Sequence, residues 1–450
     1  MKRQWTLSAI AGLAAVASVS GQGQLSPRAG SLDKDAAIAS AGTNIVLKIG
    51  LVDCVAWTLN RNPDVVIRRL DPQIRGKDVE AAKAAFHPVL SAEATAKSST
   101  VAVPLPTGGE TNTVADATEL KAGISGRLAP GTRYAVEVVG QKADNSSTRL
   151  PINPAFTATP RVTITQPLFR GMGTTVNRAD IVIASRRQEM SRQDVAKAVI
   201  DAISRTQAGY YVFCYSRDIH ALSAAALARA EDLLKINRER YAKGLISSVD
   251  LLETDAAVAQ RRKALISSES AMEKASDTLK LLVNLVEDPS WWNARIEPVD
   301  RPGIEMRSVE LASCLTNAFR CRPDYQAKRL EMDLRDIQID VARNAAYPAV
   351  DLVGSYGLSG IGTDSADAWS RIGSDRPEWM AGVRVSIPFG NPDSARRDQK
   401  EMEKEQALLE LKRLEQNIIL EVRDSVREVD IQYRQVEAAG LALDKETVNY

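Results

Sequence analysis

RYAKGLISSVDLLETD, residues 240 to 255, interrupts a long charged, alanine-rich helical pattern with one glycine and resumes it at once. Arg240 and Lys243 suit the last turn of a helix, and Gly244 suits the left-handed residue just past it. Ser247 with Asp250 three residues on reads as a capping box that opens a second helix. The stretch is therefore a tight turn between two helices. Before it, Leu227, Leu234 and Tyr241 recur every seven residues; after it, Leu251, Val258, Leu265, Met272, Leu279 and Val286 do the same. Sevenfold spacing is a coiled-coil seam. Ala256, Ala259, Ser267, Ser268, Ala275 and Ser276 add small side chains that let neighbouring helices approach closely. Upstream, from about Thr175 to Lys243, no proline occurs and Gly209 is the only breaker, so a continuous helix on the order of 100 Å is expected. An antiparallel helical hairpin with its tip at 241 to 252 follows.

The chain around this hairpin has 450 residues, 44% of them hydrophobic, and 58 basic against 57 acidic residues for a net charge of +1. It can bury a sizeable core but offers no global field for nucleic acid. Residues 1 to 20 show the basic start MKRQW, an apolar run and small residues near Ser18 to Ser20, the three parts of a cleaved secretory signal. Residues 21 to 46 read as a linker, and no cysteine near the cleavage site offers a lipid anchor. Beyond residue 20 no apolar run is long enough for a membrane helix. Cys54, Cys214, Cys314 and Cys321 form no tight disulfide framework. Cys314 and Cys321 stand about 10 Å apart along a helix by rise, and all four are expected to be small buried residues.

Internal repetition organises the rest. VDCVAWTLNRNPDVV (52 to 66) aligns with ASCLTNAFRCRPDYQ (312 to 326) at an offset of 260, which also carries AAKAAFHPVLS (81 to 91) onto VARNAAYPAVD (341 to 351). Cys54 falls on Cys314, Pro63 on Pro323 and Pro88 on Pro348. A proline disfavours helix at the residue before it, so each break has a cause. The chain is a tandem duplication of two large copies, 47 to 300 and 301 to 450, far beyond solenoid periods.

After Pro88 and Pro348 the periodicity changes to two. Leu120, Ala122, Ile124, Gly126 and Leu128 share one face, and Tyr134, Val136 and Val138 continue the habit after APGTR. In the second copy Val350, Leu352, Gly354, Tyr356 and Leu358 alternate, as do Trp379, Ala381, Val383, Val385, Ile387 and Phe389. A strand pair is expected in each copy. Such segments approach the roughly 9 to 11 residues that cross a bilayer as a tilted strand; a half-buried hairpin in a soluble domain fits the periodicity equally well.

Taken in order, the helix ending at NPD (51 to 64), the entries AAFHP and NAAYP, QPLFRGMG (166 to 173) with its counterpart IPFGNP (387 to 392), and RYAKGLISSVDLL resemble the TolC-like outer-membrane efflux and secretion channels. The resemblance covers essentially the whole mature chain. It implies a mixed α and β fold. Long antiparallel coiled-coil hairpins would form a periplasmic α-barrel, and four strands from each of three protomers would form one transmembrane β-barrel. It also implies a homotrimer in contact with outer-membrane lipid, a periplasmic adaptor and an inner-membrane transporter, with no cofactor and no nucleic acid. The tip residues Arg240, Tyr241, Gly244, Leu245, Ile246, Ser247, Ser248, Asp250 and Leu251 become the adaptor-docking candidates. Four strands cannot close a barrel alone, which agrees with association. The second copy shows only an outgoing helix from about Ser394 to Tyr450, so a return helix comparable to 241 to 290 is expected beyond it, and no gating residues are carried over.

Enzyme readings fare poorly. His87 precedes Pro88 and His220 sits on the long helix as a packing residue, so no histidine-centred triad or HExxH zinc site can be built. GMGTTV at 171 to 176 lacks the third glycine of a dinucleotide fingerprint. Asp250, Glu253 and Asp255 read as a solvated helix face, and Asn145-Ser146-Ser147 is only formally a glycosylation acceptor. The expected function is a passive exit duct; the competing class is a soluble periplasmic coiled-coil scaffold without a pore.

Overall fold

The computed structural model describes residues 46–104, 110–146, 152–287, 291, 293–300, 303, 309–373, 376–387, 390 and 392–448. The export signal expected over 1 to 20 lies outside them, as does the linker up to residue 45. The chain divides into two compact units, Met1–Gly50 with Leu285–Val299 and Leu51–Asn284 with Asp300–Tyr450. In the described part of the first, β1 (Val46–Ile49) pairs in parallel with β6 (Arg295–Pro298), and the Val299 amide extends the pairing to the Ile49 carbonyl at 3.1 Å.

The second unit displays the duplication directly. α1 (Leu51–Arg61) and α2 (Pro63–Ala84) in one copy correspond to α6 (Leu311–Cys321) and α7 (Pro323–Ala345) in the other, each pair broken at the residue before a proline. The joint between the paired helices is sealed differently in each. Asn62 caps α2 by accepting from the Asp64 amide at 2.9 Å, and its own amide donates to the Leu282 carbonyl at 2.8 Å, one of the orphan acceptors at a helix end. At the equivalent place Arg322 makes ion pairs to Asp324 at 2.7 Å and Glu421 at 2.6 Å.

The long helix is two pieces. α3 (Thr174–Asn177) ends at Arg178, and α4 (Ala179–Ala242) then runs 64 residues, roughly 95 Å by rise. The expected continuity thus fails at Arg178, whose φ of −94° and ψ of 0° leave the helical well. Gly209 breaks nothing: it lies inside α4 where a Cβ would come within 2.9 Å of Leu282 Cδ1, so it admits close packing by α5 (Ser248–Leu282). α9 (Pro392–Val448) lies against α7 and α6.

A seven-stranded sheet carries the order β2–β3–β4–β5–β7–β9, with β8 (Gly360–Gly362) attached to β5. Its strands are β2 (Val89–Pro104), β3 (Glu110–Arg127), β4 (Arg133–Asn145), β5 (Ala155–Pro167), β7 (Ala349–Leu358) and β9 (Pro377–Ser386), and every neighbouring pair on the path is antiparallel. A short α8 (Ser365–Ser370) packs on β8 and β5. Among the described residues the first copy therefore contributes four strands rather than a pair, and the main path holds six rather than four. The expected pair is β3 and β4, joined at APGTR where Gly131 takes φ +101° and the Leu128 amide donates to the Thr132 carbonyl; the two further strands are β2 and β5, which flank that pair on either side. Phe389 lies outside the described residues.

Candidate functional site

Two features of this fold bear on function, the sheet faces and the hairpin tip. On the sheet, cross-strand register places Leu90, Ile124, Val136, Val162, Tyr356 and Trp379 in one row across all six strands, and all six are exposed. An apolar row this wide is the face a bilayer covers in a transmembrane barrel. The other face is charged. Glu93 stands opposite Lys121, Lys121 pairs with Glu137 at 3.0 Å, Glu137 stands opposite Arg161, and Arg161 pairs with Glu378 at 2.8 Å. The strands of the path run from 10 to 18 residues, enough to cross.

The strands join the helices through QPLFRGMG. Asn177 donates to the carbonyls of Gly171 and Gly173 at 2.7 and 2.8 Å, Asn344 accepts from the Gly171 amide at 2.7 Å, and the Gly173 amide reaches the Pro130 carbonyl. Gly171 and Gly173 both hold positive φ, so these glycines turn the chain from β5 into α3 rather than cradle a phosphate. β5 lies in an antiparallel sheet, which removes the βαβ setting a dinucleotide site needs.

At the tip, Gly244 holds φ +70°, its amide donates to the Tyr241 carbonyl at 2.8 Å, and the Leu245 amide donates to the Arg240 carbonyl at 2.9 Å. That is a Schellman closure of α4. Ser247 then opens α5: its hydroxyl accepts from the Asp250 amide at 3.2 Å while the Asp250 carboxylate accepts from the Ser247 amide at 3.0 Å. The Ser247 hydroxyl and amide hold the Asp250 carboxyl below its ordinary value. Leu245 is 69% exposed, with Val249 and Leu252 exposed beside it. Ile246 and Leu251 are half-buried at the two positions of a hydrophobic staple. Arg240, Tyr241, Ser247, Ser248 and Asp250 are exposed, and Tyr241 thereby leaves the seam to which its sevenfold spacing assigned it. Val286 leaves it too, exposed in a short 3-10 turn.

Along the hairpin, Asn237 donates to Thr254 at 3.0 Å, Arg262 pairs with Glu231 at 3.1 Å, and Ser268 meets His220 at 3.4 Å. These antiparallel pairs recur over the length of α5, with His220 as a packing residue. Cys54 and Cys214 are buried, and burial pushes the Cys54 thiol up to about 12, which leaves it inert. Cys314 is half-buried and Cys321 exposed, contrary to the expectation that all four cysteines are buried, because α6 buries no residue fully.

The outer membrane efflux protein family model matches twice, over residues 139–285 and 315–447. The chain belongs to the outer membrane efflux protein family. The two matches fall one in each copy of the duplication. Among relatives, the chain is 24% identical over 201 residues to the toxin and drug export protein A of Aggregatibacter actinomycetemcomitans, covering 44% of this chain and 41% of that one. It is 23% identical over 222 residues to the pyoverdine export outer membrane protein OpmQ of Pseudomonas aeruginosa, covering 49% and 44%. The match thus spans less than half the length of each relative. The outer membrane protein VceC of Vibrio cholerae shares the fold, with a TM-score of 0.61 at 16% identity over 88% of this chain and 82% of that one. This efflux-family chain is an outer-membrane protein, a mixed helix and sheet fold built by tandem duplication.

Proposed function

We propose that the chain is one protomer of a passive outer-membrane exit duct, with no covalent chemistry of its own, serving export of small molecules or polypeptides. The observation that carries this is the six-strand path with one continuous apolar face and one charged face. Such a sheet is stable only with lipid on the first side and water on the second. Six strands cannot close into a barrel while two edges stay unpaired, so copies associate. A homotrimer supplies eighteen strands, three times the six of the path, an even number within the range of outer-membrane barrels. Barrel diameter grows with strand number, so this barrel is wider than one built from four strands per protomer.

In the same reading the copies run 47–300 and 301–450, the long helices extend into the periplasm, and the 240–252 tip meets a periplasmic adaptor that couples to an inner-membrane transporter. Leu245, Val249 and Leu252 at a rigid bend have the character of binding anchors. The near-even charge balance offers no global field for nucleic acid.

The test is electrical. Purified oligomer added to a planar lipid bilayer should give discrete ion-conductance steps. A protein that fractionates with the soluble periplasm and leaves the bilayer silent overturns the duct and restores the scaffold.

A further inference from the structure

The edges of the six-strand path are β2 and β9. An even number of alternating strands sends the two edges in opposite directions, so β9 of one copy and β2 of a second copy set beside it are antiparallel and can share a ladder. A head-to-tail contact of this kind closes into a ring.

The charged face specifies the register. Its row climbs across the sheet: Glu93 lies four residues past Val89, the helix-proximal end of β2, whereas Glu378 lies eight residues before Ser386, the helix-proximal end of β9. Arg161 reaches Glu378 across β7 because the residue between them is Gly357, where a Cβ would stand 3.0 Å from the Pro160 carbonyl oxygen. Continued into the next copy at the same height above the strand ends, the row meets β2 eight residues past Val89. That residue is Lys97.

We propose that β9 of one copy pairs with β2 of the next in the register that sets Ser386 opposite Val89 and Glu378 opposite Lys97, carrying the charged row across the contact between copies. The inference rests on the outer-membrane duct reading. In this register the opposite face also matches, with Leu90 against Val385, Ala92 against Val383 and Ala96 against Trp379, small residues of β2 meeting large ones of β9. A slip of one residue turns the charges of one strand toward lipid. A slip of two sets Glu93 opposite Arg384 and leaves Lys97 opposite Met380, so Glu378 loses its partner on the neighbouring strand. Within its own copy Lys97 stands opposite Ala117, with Glu119 diagonal to it, so the test must report the contact between copies.

Two double-cysteine variants, Lys97→Cys with Glu378→Cys and Glu93→Cys with Arg384→Cys, are oxidised with copper phenanthroline in outer-membrane preparations, in a background carrying Cys314→Ser and Cys321→Ser. Directly opposed cysteines bridge and diagonal ones do not. The first pair should cross-link copies into multimers on denaturing gels and the second should stay monomeric. Lys97→Glu, which sets two carboxylates opposite each other at the contact, should reduce the oligomer that survives mild detergent, and Lys97→Arg should not. Cross-linking through the second pair, or through neither while the oligomer persists, overturns this register and leaves the duct intact. A chain that forms no membrane-embedded oligomer overturns the duct itself.

Discussion

The hydroxyls of Thr58 on α1 and Thr206 on α4 lie 3.0 Å apart, and neither residue is accessible to solvent. Each also lies within reach of the carbonyl one turn back in its own helix, Cys54 at 2.9 Å and Ala202 at 2.8 Å. A hydroxyl has one proton, so one threonine donates to the other and the second donates to its own helix. Replacing either by valine removes one contact and leaves the survivor bonded to its helix, at a cost of about 1 kcal/mol. Thr58→Val with Thr206→Val should cost less than the sum of the single changes, since no buried hydroxyl then lacks its neighbour. Denaturant unfolding of the four proteins checks this; strict additivity would mean the pair is not coupled.

The ion pairs at Arg322 predict a pH dependence at the equivalent joint of the second copy. The Arg322 guanidinium holds the Asp324 carboxyl below its ordinary value of 3.8. A depressed carboxyl adds stability above its unfolded value and loses it as pH falls through the folded one. Asp324→Asn should melt lower than the parent at pH 7, with the difference shrinking as pH falls below about 4. Melting curves at pH 7, 5 and 3 decide, and a difference that persists unchanged at pH 3 would show packing, not charge, at work.

At the tip, closure and docking separate by mutation. Gly244→Val forces a β-branched residue into positive φ and should cost roughly 1 kcal/mol or more. Leu245→Ser should leave melting and oligomer yield nearly unchanged, because Leu245 is mostly exposed, while abolishing co-purification with the periplasmic adaptor of the proposed duct and export in cells. Lowered melting with intact adaptor capture would make Leu245 a structural residue and move the docking site elsewhere.

Gly209 offers a stabilising change. Alanine there brings its Cβ to 2.9 Å from Leu282 Cδ1, the far end of a flexible side chain that can swing aside. Helix propensity favours alanine by up to about 1 kcal/mol. Gly209→Ala should therefore match or exceed the parent in melting temperature, and Gly209→Leu should fall below it by about 1–3 kcal/mol from overpacking. A lower melting point for the alanine variant would show that α4 and α5 cannot separate even slightly.

Local chemistry determined much of this protein from the sequence alone. The offset of 260 located both helix breaks, because a proline acts on the residue before it wherever it stands. Gly244, Ser247 and Asp250 defined the hairpin tip, because Schellman closures and capping boxes are made within a few residues. The sevenfold seam is buried or half-buried from Leu227 to Leu234 and from Leu251 to Leu279, because its period is a property of the helix itself. Strand number was not legible. β2 reads VLSAEATAKSSTVAVP, where alanine, serine and threonine on both faces give little contrast at period two, so the strand before the expected β3–β4 pair left no clear pattern. The charged row was equally hidden, since Glu93, Lys121, Glu137, Arg161 and Glu378 are scattered over most of the chain. The pairing of β5 with β7 joins segments almost 200 residues apart. Strand register is set by backbone hydrogen bonds between distant segments, and only the tertiary structure fixes which residues then share a row.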